Sequence, residues 1–248
     1  AIAETRGELV LLCDQDDVWQ PQKIRRMVEA FAEQPAMQLL VHDALVVDER
    51  LQWHGDSFSR RLRDDGQSPC GWLGMAMGVR GRFARACCPV PPTWPQGHDD
   101  WLAACALALE ARARLGGDAL ALYRRHARAA SSIPLHVTQG QRDRWSSSVR
   151  QLIDSATTVI GHSEAPLINW LESKARVLVS TGVSDAASLQ RAVARLRQQE
   201  AQRLHRLALL QLPRRHRWRE VLRLWRRGGY DAFSGWRSAV KDFTLSPR

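Results

Sequence analysis

No apolar run in this 248-residue chain approaches the roughly 20 residues that a membrane-spanning helix needs. Cysteine is sparse and irregular. There are five, an odd number, and no two are spaced as CxxC, so neither a disulfide framework nor a CxxC zinc site is indicated. Cys87 and Cys88 are adjacent and cannot easily bridge each other. Reduced thiols in a cytoplasmic protein are the expectation. Disorder is excluded as well, because 44% of the residues are hydrophobic and supply a core. Excess positive charge is missing from the first part of the chain: residues 1–140 hold 16 Lys+Arg against 17 Asp+Glu. Residues 141–248 hold 20 against 9. The whole net charge of +10 therefore comes from the last two fifths, which predicts two parts with different partners.

What the chain does have is concentrated near its start. Leu9-Val10-Leu11-Leu12-Cys13 is a run of five apolar residues, the pattern of a strand buried on both faces. Asp14-Gln15-Asp16-Asp17 follows where that strand must end, and strand ends of open α/β sheets are where ligands bind. Three carboxylates within four residues repel one another unless a cation or a positive group offsets their charge. A hard divalent ion such as Mg2+ or Mn2+ suits carboxylate oxygen and in turn holds phosphates. A solvated acidic turn is the plainer alternative. Val18-Trp19-Gln20-Pro21-Gln22-Lys23 behind the turn favours the metal and phosphate site.

The rest of the acidic half reads as alternating strands and helices. Gln20-Pro21 opens a helix whose face is Ile24, Met27, Val28 and Phe31, ending before Pro35. Leu39–Val41 and Ala44–Val47 read as two short strands around His42-Asp43. Residues 48–69, with Arg60-Arg61-Leu62-Arg63 and Asp64-Asp65-Gly66, read as a long loop and a candidate lid or acceptor region. Gly71, Gly74 and Gly78 punctuate an apolar stretch up to Val79, as a close-approaching ligand or a bulge would require. Prolines 89, 91, 92 and 95 enforce an extended loop that leads to Gly97-His98-Asp99-Asp100-Trp101. Leu102, Cys105, Ala106 and Leu109 continue as a helix, so His98-Asp99 sits at its N-terminus. There Asp99 is either a cap or a functional carboxylate. Ala119–Tyr123 is a last strand, with Arg124-Arg125-His126 in a loop that either grips phosphate or is simply solvated.

Four segments in this order resemble the family 2 glycosyltransferases of the GT-A fold, especially the bacterial rhamnosyltransferase-like group. They are Leu11–Ile24, Gly74–Arg80, His98–Leu102 and Leu122–His126. The resemblance covers about residues 1–132. It implies a truncated, Rossmann-like GT-A domain over residues 1–135, followed by an all-α basic tail over 136–248. It further implies an inverting transferase that moves a sugar from a UDP- or dTDP-sugar donor to a glycan or lipid-linked acceptor in cell-surface polysaccharide synthesis. Asp14-Gln15-Asp16 would be the DxD motif, with Asp16 and Asp14 at the Mg2+ or Mn2+ ion and Asp14 also at the nucleotide. His126 would join the metal, Arg125 the donor phosphates, and Asp99 would be the general base. His98 stands where many members carry an acid, and Asp100 where an aromatic is common; register favours Asp99. Family members carry βα units of roughly 30 residues each before the DxD strand, whereas here Ala1 to Gly7 precede it. The resemblance thus implies an N-terminally truncated, inactive piece.

In the tail, Leu189, Val193, Leu196, Leu204 and Leu207 outline a long amphipathic helix. Between Arg214 and Arg227, Trp218, Val221, Leu222 and Trp225 form one stripe. Arg217, Arg219, Arg223, Arg226 and Arg227 lie around it, and Gly228-Gly229 stops the helix. A basic helix with a tryptophan-bearing stripe predicts either an anionic membrane surface met by residues 214–227, at the inner face of the plasma membrane, or packing on the catalytic domain. Nucleic acid is not expected beside an acidic crevice. A rival enzyme, the haloacid dehalogenase-type phosphatase, also begins with a hydrophobic strand and DxDx(T/V), but no downstream Lys motif is found. A calcium EF-hand fails, since the sixth position from Asp14 is Trp19 and the twelfth is Arg25. A non-catalytic lipid-surface adaptor is the remaining alternative.

Overall fold

The computed structural model describes residues 1–60, 73–126, 163–230, 233 and 235–244. The chain divides into two compact units, Ala1–Thr138 with Trp170–Leu189, and Gln139–Asn169 with Gln190–Arg248. The predicted domain boundary at 135/136 lies outside the described residues, as does the tail up to residue 162.

The first unit is α/β. Its strands are β1 (Leu9–Leu11), β2 (Val18–Trp19), β3 (Leu39–Val47), β4 (Trp53–Ser57), β5 (Met77–Arg80) and β6 (Arg112–Arg124). They form one sheet in the order β1-β5-β3-β6-β2, with β4 also on β3. Among the described strands only β3 and β6 run parallel, and the other pairings are antiparallel. β1 is therefore an edge strand. Leu9, Val10 and Leu11 are half-buried rather than enclosed on both faces, with Leu9 and Leu11 packed on the Met27 and Phe31 cluster. β1 and β2 stand at opposite edges, so the acidic turn that joins them must pass across the ends of the strands between.

The two short strands predicted around His42-Asp43 are a single strand, β3, whose register against β6 shifts at Asp43. A bulge of this kind turns a side chain out of the ladder. Here the Asp43 carboxylate accepts the Ala44 N–H at 2.8 Å and the Ser59 N–H at 3.0 Å. The predicted loop after residue 47 also begins differently. Asp48 accepts the N–H groups of Arg50 and Gln52, both at 2.9 Å, and this turn returns the chain as β4. Arg61 to Asp65 and Gly71 lie outside the described residues.

Three helices complete the domain half of this unit: α1 (Lys23–Glu33), α2 (Gly81–Ala86) and α3 (His98–Ala108). Helix α1 starts two residues after Pro21 and buries Lys23, Met27, Ala30 and Phe31, while Ile24 and Val28 are exposed. The face is thus rotated from the predicted one. Met27 and Phe31 press on β5 at Gly78, where an added Cβ would lie 2.4 Å from Met27 Cε and 3.2 Å from Phe31. Helix packing, rather than a ligand or a bulge, therefore explains Gly78. Behind α3, Trp101 is fully buried and donates its indole N–H to Cys87 O at 2.8 Å. Helix α4 (Ala165–Ser180) brings Trp170 onto this cluster, edge-on to Trp101 and Phe83, with its N–H on Ala86 O at 3.0 Å. That buried aromatic set fixes where α3 begins.

The second unit contains the remainder of α5 (Ala186–Leu210), α6 (Arg214–Arg226) and α7 (Trp236–Thr244). Leu209, Val221, Leu224, Tyr230 and Ala239 form its apolar cluster. Inside it Arg206 pairs with Asp242 through two bonds of 2.7 and 2.8 Å, and Tyr230 donates to the same carboxylate at 2.9 Å. Arg217 donates to the carbonyls of Leu210, Leu212 and Asp242. This corrects the predicted face of α6. Arg217, Val221 and Leu224 turn inward, whereas Trp218 and Trp225 are 47% and 52% exposed. The Arg217 guanidinium takes the inward position because it can donate to three backbone carbonyls there. Among the described residues no helix is long and apolar enough to cross a membrane.

Candidate functional site

The acidic turn, the start of α1, the approach to β5, the N-terminus of α3 and the end of β6 supply the polar groups of the first unit. Asp16 Oδ2 lies 2.9 Å from His126 Nε2, beyond the end of β6. That hydrogen bond holds the Asp16 carboxyl below its ordinary value, against a smaller opposing effect of burial. Asp17 accepts the Arg124 N–H at 2.8 Å and thereby ties the turn to β6. Its other oxygen is buried with no hydrogen-bond partner. Burial, with the nearby charges of Asp16 and Asp14, pushes Asp17 up to about 6.

Asp14 is also pushed upward, first by burial and then by the charges of Asp16 and Asp99; His98 and Lys23 act in the opposite direction. Asp99 is therefore within electrostatic reach of the acidic turn, although 85 positions separate it from Asp14 (99 − 14). The helix cap at α3 is Gly97, without a side-chain cap bond, so Asp99 occupies the first turn and does not act as the cap. Its carboxylate instead packs on Gly74, where a Cβ would come within 3.1 Å of Oδ2, and on Gly97, where it would come within 2.5 Å of Oδ1. Gly74 is small so that this carboxylate can fit.

Trp19 and Lys23, which from sequence favoured the site as a motif, lie beside the acidic turn. Lys23 is buried, donates to Met75 O at 2.5 Å and places its ammonium 3.9 Å above the Trp19 ring. Burial lowers it to about 8, while Asp17 and Asp14 are among the charges that hold it up. The Trp-x-Pro-x-Lys spacing signalled this pair, because it returns the lysine beneath the indole. Arg125 is placed differently from Arg124: it is buried and donates to the Tyr123 hydroxyl at 3.1 Å. The charge of Arg124, by contrast, is felt at Asp16.

A divalent ion is tested by this donor set. Among the described residues no group of three or more His, Cys, Asp or Glu side chains is arranged to hold a metal. The Asp16–His126 pair offers two donors, with Asp14 standing off as added negative charge. The 2.9 Å contact between Asp16 and His126 is a hydrogen bond, which a bound ion would have to replace. Mg2+-like ions keep several waters and take phosphate oxygens for their remaining positions, so a two-donor site fits them.

Residues 1–83 match the model of Glycosyl transferase family 2. The matched stretch carries β1, the acidic turn, Lys23, Gly74 and Gly78, and ends before Asp99, Arg125 and His126. With the mixed α/β sheet and the helices after it, the match supports a glycosyltransferase of this general kind with a GT-A type domain. No curated protein matches the chain.

Proposed function

We propose that the first unit is an inverting glycosyltransferase that uses a nucleoside-diphosphate sugar, UDP- or dTDP-linked, and a glycan or lipid-linked acceptor of bacterial cell-surface polysaccharide synthesis, with a rhamnosyl group as a candidate for the sugar moved. The observation that carries this reading is the convergence of Asp14 and Asp99 in one electrostatic neighbourhood, next to the Asp16–His126 pair. Asp16 and His126 would hold Mg2+ or Mn2+ with the Asp14 charge nearby, and the ion would supply positive charge to offset the donor diphosphate. Asp99, in the first turn of α3, takes the proton from the acceptor hydroxyl as that oxygen bonds to the anomeric carbon and the bond from that carbon to the nucleoside diphosphate breaks. Gly74 and Gly97 fix its position. Lys23 places a cation beneath the turn and limits the repulsion between Asp14 and Asp17. Arg124, next to Asp16, suits the donor phosphates on charge grounds, and Arg125 would act there only from its place at Tyr123.

The match over the acidic turn favours this reading over the haloacid dehalogenase-type phosphatase. Titration calorimetry with Mn2+ and UDP or dTDP tests it. Binding of the diphosphate should require Mn2+, vanish in Asp16→Ala and survive in Asp99→Asn, while transfer in Asp99→Asn falls by about 100-fold or more. Diphosphate binding that ignores Mn2+ and Asp16 overturns the proposal.

A further inference from the structure

Helices α6 and α7 share the core of the second unit, and each turns a second apolar stripe outward. On α6, Trp218 and Trp225 are seven residues apart, hence on one face, and are about half exposed. On α7, Trp236, Val240 and Phe243 follow at i, i+4 and i+7 and are 63%, 50% and 48% exposed. The inner faces cannot account for these residues, because Val221, Leu224, Tyr230 and Ala239 already fill the core.

The charge around the α6 stripe is mostly positive. Arg219, Arg223, Arg226 and Arg227 are exposed, and the Arg219 guanidinium stands 5.2 Å from the Trp218 ring. Glu220, the single acid of α6, is paired with Arg223. Asp242, the single acid of α7, is buried and neutralised by Arg206. The Glu220–Arg223 pair cancels itself and Asp242 is buried, so Arg219, Arg226 and Arg227 leave the exposed surface of α6 net positive beside the exposed indole and phenyl rings.

We propose that α6 and α7 together form an interfacial platform that docks this chain on an anionic lipid bilayer. The rings of both helices enter the boundary between headgroups and acyl chains, and the arginines of α6 meet lipid phosphates. Tryptophan is suited to that boundary because one end of its ring system is apolar and the other carries an N–H. Arginine binds phosphate through paired donors, and aliphatic Val240 favours an acyl environment over a stack of bases. The platform extends beyond residues 214–227, since α7 supplies three of the five exposed side chains. It also stands independently of the transferase reading, because its readout is lipid binding.

Sedimentation of the whole chain with sucrose-loaded vesicles tests this proposal. Vesicles of equal parts phosphatidylglycerol and phosphatidylcholine should pellet the chain, and phosphatidylcholine alone should not. Trp218→Ser with Trp225→Ser should weaken binding by at least about tenfold, and Val240→Ser with Phe243→Ser by a similar factor. Arg219→Gln with Arg223→Gln, which leaves every ring in place, should weaken it and reduce its salt sensitivity. Far-UV circular dichroism checks that each variant stays folded. Failure of the parent chain to pellet overturns the proposal, and so does unchanged pelleting of the α7 variant. Preferential capture by duplex DNA, insensitive to the ring substitutions, would assign the surface to nucleic acid instead.

Discussion

At the scale of single residues, Asp99 depends on what is missing beside it. Its carboxylate occupies space that a side chain on Gly74 would take, with the new Cβ 3.1 Å from Oδ2 and 3.2 Å from the Asp99 Cβ. Neither contact can be relieved without moving Asp99 by a few tenths of an ångström. Gly74→Ala should therefore lower transfer by about 10- to 100-fold through misplacement of the base. The cost in stability should be small, within about 2 kcal/mol; parallel measurements of transfer rate and thermal midpoint check the split. His42 makes a prediction in pH. Burial, with Lys23 nearby, lowers it to about 4 from 6.5, so it is neutral in the folded state at neutral pH. A lowered folded value means that the unfolded chain takes up a proton which the fold refuses. The associated stability is fully present above pH 6.5 and is lost as pH falls towards 4, by roughly 3 kcal/mol. Asp17, raised to about 6, gains stability over the same fall in pH, so the loss should appear as the difference between the parent and His42→Phe in urea unfolding at pH 7.5 and 4.5.

At the scale of elements, helix rotation was the least legible feature. The apolar spacing located α1, α3 and α6, and strand β5 and the end of β6 lie where hydrophobic runs placed them. Periodicity counts apolar residues, though, and two helices here bury a cation whose head group finds carbonyl partners. Lys23 reaches Met75 O and Trp19, and Arg217 reaches three carbonyls, so each takes a core position that a hydrophobic count assigns elsewhere. Strand pairing was equally hidden, because the edge position of β1 follows from β5 returning antiparallel between it and β3. The acids themselves were legible as a cluster with a distant partner in His98-Asp99. The Asp17–Arg124 tie was not, since it runs to a backbone N–H and leaves no signature in side-chain type. The α1–β5 contact gives a direct test. A Cβ at Gly78 would meet Met27 Cε at 2.4 Å and Phe31 at 3.2 Å, and Phe31 cannot swing away as Met27 can. Gly78→Ala should cost about 1–3 kcal/mol, and Gly78→Ala with Met27→Ala should recover part of it in chemical denaturation.

At the scale of the whole molecule, the uneven charge along the sequence has a structural counterpart inside the second unit. Residues 141–248 carry 20 basic side chains against 9 acidic ones, yet one of those acids, Asp242, is fully buried and serves several donors at once. Arg206 binds it through two bonds, Tyr230 through one, and Arg217 takes its backbone carbonyl. A buried ion pair adds little beyond a well-packed apolar replacement, but loss of one partner strands the other's charge in the core. Asp242→Ala should therefore destabilise the second unit by about 3–5 kcal/mol. Hydrogen exchange should show it as faster exchange along α6 and α7, with the β3 and β6 amides of the first unit still protected. The replacement of Asp242 by Leu, Arg206 by Met and Tyr230 by Phe together should recover most of the loss, because no charge or hydroxyl is then left without its partner. If the triple variant is as unstable as Asp242→Ala, Asp242 acts through the backbone of α7 rather than through its carboxylate. If Asp242→Ala costs under about 1 kcal/mol, the pair behaves as a solvated one and the second unit is held by its apolar cluster alone.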